Sequence, residues 1–449
     1  MTTWNRRQFL KASAVTAAFA HIPGRTFAQG VGTTAPFPDY KALVCVFLFG
    51  GNDSYNMLIP RSDAEYNVYA ASRQNLAVLQ EDLLPINPLT PDGASYGLHP
   101  SMPGIQGLFE SGRAAFLSNV GPLVEPTTRE QFQQGSVALP PQLFSHNDQQ
   151  DQWHSLKGAA TSATGWAGRV ADLIRSNVTE QQMATNASLF GNTLFQSAEE
   201  SIAYVMGPTG PIPFQGFAEE GILLEQRLAF ERILAAQFDT VYERGFAEVQ
   251  QRAVAAADLV SGAIAEAPVL ATEFPASQLG QQLQTVAQLI AVRDTLQMQR
   301  QIFFVATGGF DSHDDQNTVQ PGLLQNVSDS MSAFYDATVE LGVGDAVTSF
   351  TQSDFARTLT SNGDGSDHAW GGVQLVVGDA VLGRDMYGSY PLLEIGGADD
   401  VGGGRMIPTT SADQYAATLA KWFGVDDADL AAVAPSIGNF AVRDLGFLM

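Results

Sequence analysis

Five short segments of this 449-residue chain hold the residue types that can do chemistry. FGGNDS places Asp53 behind a double glycine, and FSHNDQQDQW sets Ser145 beside His146. GGFDSH puts Asp311 two residues before His313, GSDHAWGG pairs Asp367 with His368, and TQSDFART carries Asp354 and Arg357. Imidazole and carboxylate together suit Zn²⁺, Mn²⁺ or iron, whereas all-oxygen sites suit Ca²⁺ or Mg²⁺. On an extended backbone Asp311 and His313 share a side, so both can reach one ion or two neighbouring ions. Asp367 and His368 point apart on a regular strand. On an irregular loop they can serve two metals, or act as one ligand and one partner that orients it.

Arg357 can grip a phosphate- or sulfate-like group through paired hydrogen bonds, or bridge to Asp354 or Asp367. Ser145 is a candidate nucleophile at a helix start, where developing negative charge is favoured, and equally a plain N-cap. Thr127 and Thr128 in EPTTREQ are competing hydroxyls. No G-x-S-x-G elbow, Walker loop or H-E-x-x-H is present. The triple glycine at 402–404 reads only as a loop.

These residues need a frame. Residues 41–49 form an apolar run that ends in the Asp53 corner, and RQIFFVATGGFDSH repeats the device: apolar strand, double glycine, then Asp and His. Further strands are predicted at 113–122, within DAVTSFTQSDFART and at VQLVVGD. Helices are predicted between Pro100 and Gly112, after Ser145, through a helical insert at about 222–300, at about 323–341 and over TTSADQYAATLAKWFG. Near-continuous apolar strands alternating with helices predict an α/β fold: a mostly parallel central sheet with helices on both faces.

Hydrophobic residues make up 45% and charged residues 16%, a balance that favours a packed core over disorder. The net charge of −24 disfavours nucleic acid and anionic membrane surfaces as partners. Cys45 is the sole cysteine, so no intrachain disulfide forms, and within an apolar strand it reads as a core residue. The N-terminus carries Arg6-Arg7, then Phe9, Leu10 and Lys11, a short Ala-rich run and a small-x-small pattern at Thr26-Phe27-Ala28. That is the pattern of a twin-arginine export signal over 1–28, followed by a linker at 29–39 and one domain over 40–449. The expectation is periplasmic or extracellular location, with the twin-arginine translocase as a partner during export and no membrane span.

With these motifs in order, the chain resembles the bacterial family catalogued as domain of unknown function 1501. That family is grouped, by remote similarity, with the alkaline phosphatase and sulfatase superfamily. The resemblance implies metals held by Asp53 after the first strand, by Asp311 and His313 after a later one, and by Asp367 and His368 in an S-D-H loop. It implies a nucleophile at a helix start, here Ser145 or Thr128; beside it, Arg357 is expected to steady the transferred group, and His146, next to Ser145, is a further catalytic candidate. Val124-Glu125-Pro126-Thr127-Thr128-Arg129 stands where common sulfatases have C-x-P-S-R, and it has no cysteine to oxidise. The function so implied is an exported hydrolase of phosphate or sulfate esters, small or glycan-linked, using one or two divalent ions (zinc, manganese or calcium). The alternative is a non-catalytic secreted binding or assembly module with a structural metal site.

Overall fold

The computed structural model describes residues 35–158, 162–212 and 220–449. The expected export signal over 1–28 and most of the linker at 29–39 lie outside them. Contacts divide the chain into Met1–Pro36 and Phe37–Met449, and every element below belongs to the second unit.

β1 (Lys41–Leu48) is the apolar run of the opening motif and is buried along all but its first residue. Its side chains alternate between two cores. Ala42, Val44, Val46 and Leu48 face one, while Leu43, Cys45 and Phe47 face the other. A strand covered on both faces cannot show polar alternation, which is why its sequence reads as one hydrophobic block.

Three short strands, β2 (Leu58–Pro60), β3 (Leu84–Ile86) and β4 (Tyr96–Leu98), make a separate small sheet in the order β2-β4-β3. β5 (Ala114–Gly121), β6 (Asn186–Ser188), β7 (Tyr204–Val205), β8 (Arg300–Thr307) and β9 (Val347–Ser353) join β1 in the main sheet. β10 (Arg357–Ser361) and β11 (Ser366–His368) form a small antiparallel pair. β12 (Gly372–Val377), β13 (Met386–Tyr387) and β14 (Thr410–Ser411) complete the main sheet. Its order is β13-β5-β12-β9-β1-β8-β6-β7, with β14 also on β5. The pairings are parallel except for β12, which runs antiparallel to both β5 and β9.

Helices cover both faces, as the strand pattern predicts. Gln278–Ala291 and Gln316–Glu340 pack on the Val44 face through Leu283, Ile290, Leu324 and Phe334. Trp166–Ile174 and Ala412–Phe423 pack on the Cys45 face through Trp166, Val170, Tyr415 and Leu419. Two boundaries differ from expectation. The apolar periodicity after residue 221 is split into Gly221–Leu234 and Val241–Ala265, because Thr240 and Glu243 form a capping box that starts a new helix. The helix expected at about 323 begins at Gln316 with Pro321 inside it. Tertiary contacts outweigh the proline there: Gln316 donates to the Asp53 carboxylate, and Gln320 Nε2 donates to the Asp53 carbonyl at 2.8 Å. No helix among the described residues is long and apolar enough to cross a membrane.

Candidate metal centre

β1 lies between β8 and β9 in parallel register, with Leu48 opposite both Thr307 and Ser353. Three neighbouring strands therefore end level, and the Asp53, Asp311 and Asp354 segments leave one edge of the sheet together. Carboxyl ends of parallel strands are where open α/β sheets hold ligands. The corners are pressed against each other. Gly50 has φ of +113°, and a Cβ there would sit 2.3 Å from the Asp311 backbone nitrogen. Gly50→Ala should accordingly lower stability by about 1–3 kcal/mol and displace Asp311. An unchanged melting temperature would show that the corners are not packed in this way.

Asp311 is the focus of the site, with its side chain 46% exposed. His313 Nε2 lies 3.0 Å and His368 Nε2 3.4 Å from its Oδ1, and His146 Nε2 lies 3.5 Å from its Oδ2. The ligand atoms of His146, Asp311 and His368 are all within 4.8 Å of one another. His313 Nε2 is 2.9 Å from His368 Nε2. Phe355 lines the pair His146 and His368, with ring centroids 4.8 Å and 4.6 Å away.

Each imidazole is oriented from behind. His368 Nδ1 sits 2.8 Å from the Phe144 carbonyl, which only accepts, so Nδ1 carries the proton and the Nε2 lone pair points inward. His146 Nδ1 sits 2.6 Å from Asp354 Oδ2. Asp354 is buried, and the same oxygen accepts from Gly50 N at 3.2 Å and Gln150 Nε2 at 2.9 Å. His313 Nδ1 sits 3.2 Å from Asp367 Oδ1. Fixing Nδ1 with a carboxylate or carbonyl, which leaves Nε2 as the ligating nitrogen, is how metal-binding histidines are held. Lone pairs of two imidazoles at 2.9 Å repel unless a proton or a cation stands between them. The donor set thus fits a divalent cation.

The electrostatics agree. Burial pulls the Asp311 carboxyl upward, but Arg357, His313 and His146 outweigh it and hold it below the usual carboxylate range. The Asp354 hydrogen bond raises His146 against the effect of burial. Burial lowers His368 and keeps it in the neutral form that can ligate. The remaining described histidines are core groups. Burial pushes His99 down to about 4 and His154 down to about 3, the latter among Phe47, Phe195 and Phe304.

The site residues expected from the sequence separate into groups. Asp311, His313 and His368 converge, Asp367 stands behind His313, and His146 joins the inward-facing nitrogens instead of assisting a serine. Asp53 lies below, 1% exposed, with Oδ2 bound by Arg73 and Gln316 and Oδ1 without a hydrogen-bond partner. Burial raises its pKa despite Arg73. Arg357 differs from the expected anion grip. Its side chain is 0% exposed, and it donates to the Gly50 and Ser366 carbonyls and, at 2.9 Å, to Asp311 Oδ1. It positions Asp311. Ser145 caps the helix His146–Ser155 in position, but its hydroxyl donates to Asp148 Oδ2 at 2.6 Å. Thr128 is exposed and forms a capping box with Gln131. Neither hydroxyl hydrogen-bonds to the histidines or Asp311 among the described residues.

The local pattern offers Asp354 only as a partner for Arg357; in the fold it pairs with His146, 208 residues away. Arg73 and Gln316 were not anticipated, since nothing local marks an arginine or glutamine as the partner of a distant aspartate.

The sequence profile of the family described as "Protein of unknown function (DUF1501)" matches residues 40–433. No curated protein matches the chain. Among solved structures, the PsFucS1 sulfatase from Pseudoalteromonas sp. aligns at 10% identity and a TM-score of 0.34, covering 91% of this chain and 73% of that one. The phosphonate monoester hydrolase SpPMH from Silicibacter pomeroyi aligns at 8% and 0.34, covering 86% and 74%. Ps i-CgsB in complex with k-i-k-neocarrahexaose aligns at 8% and 0.37, covering 89% and 72%.

Proposed function

The chain belongs to the DUF1501 family of proteins of unknown function, and from the geometry of its histidine–aspartate cluster we propose that it is an exported, metal-dependent hydrolase of phosphate or sulfate esters. The observation that carries this is the convergence of three Nε2 atoms on the Asp311 carboxylate, each imidazole held from behind. Ester chemistry is what the resemblance carried by the ordered motifs implies, and export is what the twin-arginine pattern within residues 1–28 implies.

Imidazole-rich donors favour zinc or manganese over calcium, which takes oxygen ligands. The Asp53 carboxylate is taken by Arg73 and Gln316 and is not in the convergent group of His146, Asp311 and His368, which favours one ion over two. When bound, such an ion supplies Lewis acidity toward an anionic ester and a more acidic water. The protein's own part is placement. Asp354, Asp367 and the Phe144 carbonyl aim the imidazoles, Arg357 holds Asp311, and Phe355 walls one side. The 46% exposure of Asp311 leaves the cluster open to solvent, as a catalytic site requires and a closed structural site does not. The acidic body disfavours polyanions, so small or glycan-linked esters are the substrates to screen.

Elemental analysis of exported protein should find about one zinc or manganese ion per chain. Chelation should then abolish aryl phosphate or aryl sulfate turnover, and the metal should restore it. Protein that carries neither metal nor turnover would end the proposal. Water, not a side-chain hydroxyl, is the nucleophile in this reading. Ser145→Ala and Thr128→Ala should each lower turnover less than about tenfold, whereas loss of a true nucleophile costs on the order of 10⁶.

A further inference from the structure

With Arg357 committed to Asp311 and to backbone carbonyls, the site needs another cation to recognise an anionic substrate. We propose that Arg405 is that group: a positioned guanidinium beside His368 that binds the tetrahedral oxyanion, phosphoryl or sulfuryl, of the ester. The assignment rests on the ester-hydrolase reading of the same site.

Arg405 is half-buried and held from three directions. Its Nε donates to the His368 carbonyl at 3.0 Å, and its Nη1 donates to the Gly402 carbonyl at 2.9 Å. The guanidinium carbon lies 5.2 Å from the centre of the Phe144 ring. Phe144 is the residue whose carbonyl orients His368. The side chain is therefore tied both to a candidate ligand and to the residue that aims it.

The triple glycine builds this placement. Asp400, buried at 1% exposure, accepts with one oxygen from Gly402 N at 2.6 Å, Gly404 N at 2.8 Å and Arg405 N at 3.1 Å. The turn wraps around that carboxylate and delivers Arg405 to His368. Gly404 has φ of +77°, and a Cβ there would strike Leu359 Cβ at 2.4 Å, so only glycine fits.

Charge makes the arginine conspicuous. The chain has 47 acidic against 23 basic residues. Even so, among the described residues no carboxylate lies within ion-pair distance of the Arg405 guanidinium, and its Nη2 makes no hydrogen bond. An immobilised guanidinium with free donors, tied to the His368 backbone beside the candidate metal centre, has the chemistry of an oxyanion subsite.

The test uses full-length, zinc-loaded protein and measures binding of inorganic phosphate and of sulfate by calorimetry. Wild type should bind at least one of them, and the tighter anion names the ester class. Arg405→Ala should weaken that binding about tenfold or more, with metal content and melting temperature unchanged. Should alanine loosen the turn, Arg405→Gln keeps the length of the side chain and a donor for the His368 carbonyl, and the same weakening is expected. Wild-type affinity in Arg405→Gln would overturn the assignment while leaving the hydrolase reading intact. Zinc-loaded wild type that binds neither anion would overturn both.

Discussion

Asp311→Asn should leave the protein folded and abolish binding of the proposed metal. The change keeps the shape of the side chain and an oxygen that can accept from Arg357, so the buried guanidinium retains a partner. What disappears is the negative charge on which three imidazoles and one guanidinium converge. Altering a group that merely orients a ligand costs about 10–100-fold in metal affinity or activity, and the central ligand should cost more than about 100-fold. The measurement is metal content after dialysis, paired with ester turnover at saturating zinc. Asp354→Asn and Asp367→Asn should fall within the smaller range, because they act through His146 and His313. A variant Asp311→Asn that retains metal and turnover would dismantle the candidate centre.

Asp53→Asn should do the opposite, lowering stability and sparing metal. Asp53 is the only carboxylate paired with Arg73 among the described residues, and the two side chains are 1% and 0% exposed. Arg73 also donates to the Thr358 carbonyl at 2.6 Å and to Asn56 Oδ1 at 3.1 Å, tying the helix Asp63–Arg73 to β10. Removing one partner of a buried ion pair leaves the other charge uncompensated, at a cost of about 3–5 kcal/mol. The expected result is a clear fall in melting temperature with metal stoichiometry unchanged. If metal is lost and the melting temperature holds, Asp53 is a ligand after all, in the role its place after the first strand implies.

The two variants show where sequence and structure part. Both aspartates follow an apolar strand and glycines, so locally they look alike. Asp311 meets imidazoles from the segments 146 and 368, whereas Asp53 meets an arginine twenty residues on and a glutamine from the helix Gln316–Glu340. Such encounters are set by strand register and helix docking. The same holds for Arg357 and Arg405. The first stands in a motif that invites an anion-binding role, yet it is sealed beneath Asp311. The second sits in a glycine loop without any motif of its own and ends beside His368.

From the sequence alone follow the apolar strands, the helices on both faces, the predominantly parallel sheet, and the residue types that gather at its carboxyl edge. These are local properties: hydrophobic periodicity, capping residues and glycine corners act over a few neighbours. Only the tertiary structure decided which carboxylate faces which imidazole, which arginine is buried, and that the His146 imidazole turns toward Asp311. A hydrogen bond's direction and a side chain's exposure depend on groups hundreds of residues apart, brought together by the register of β1 with β8 and β9, and no local pattern carries that information.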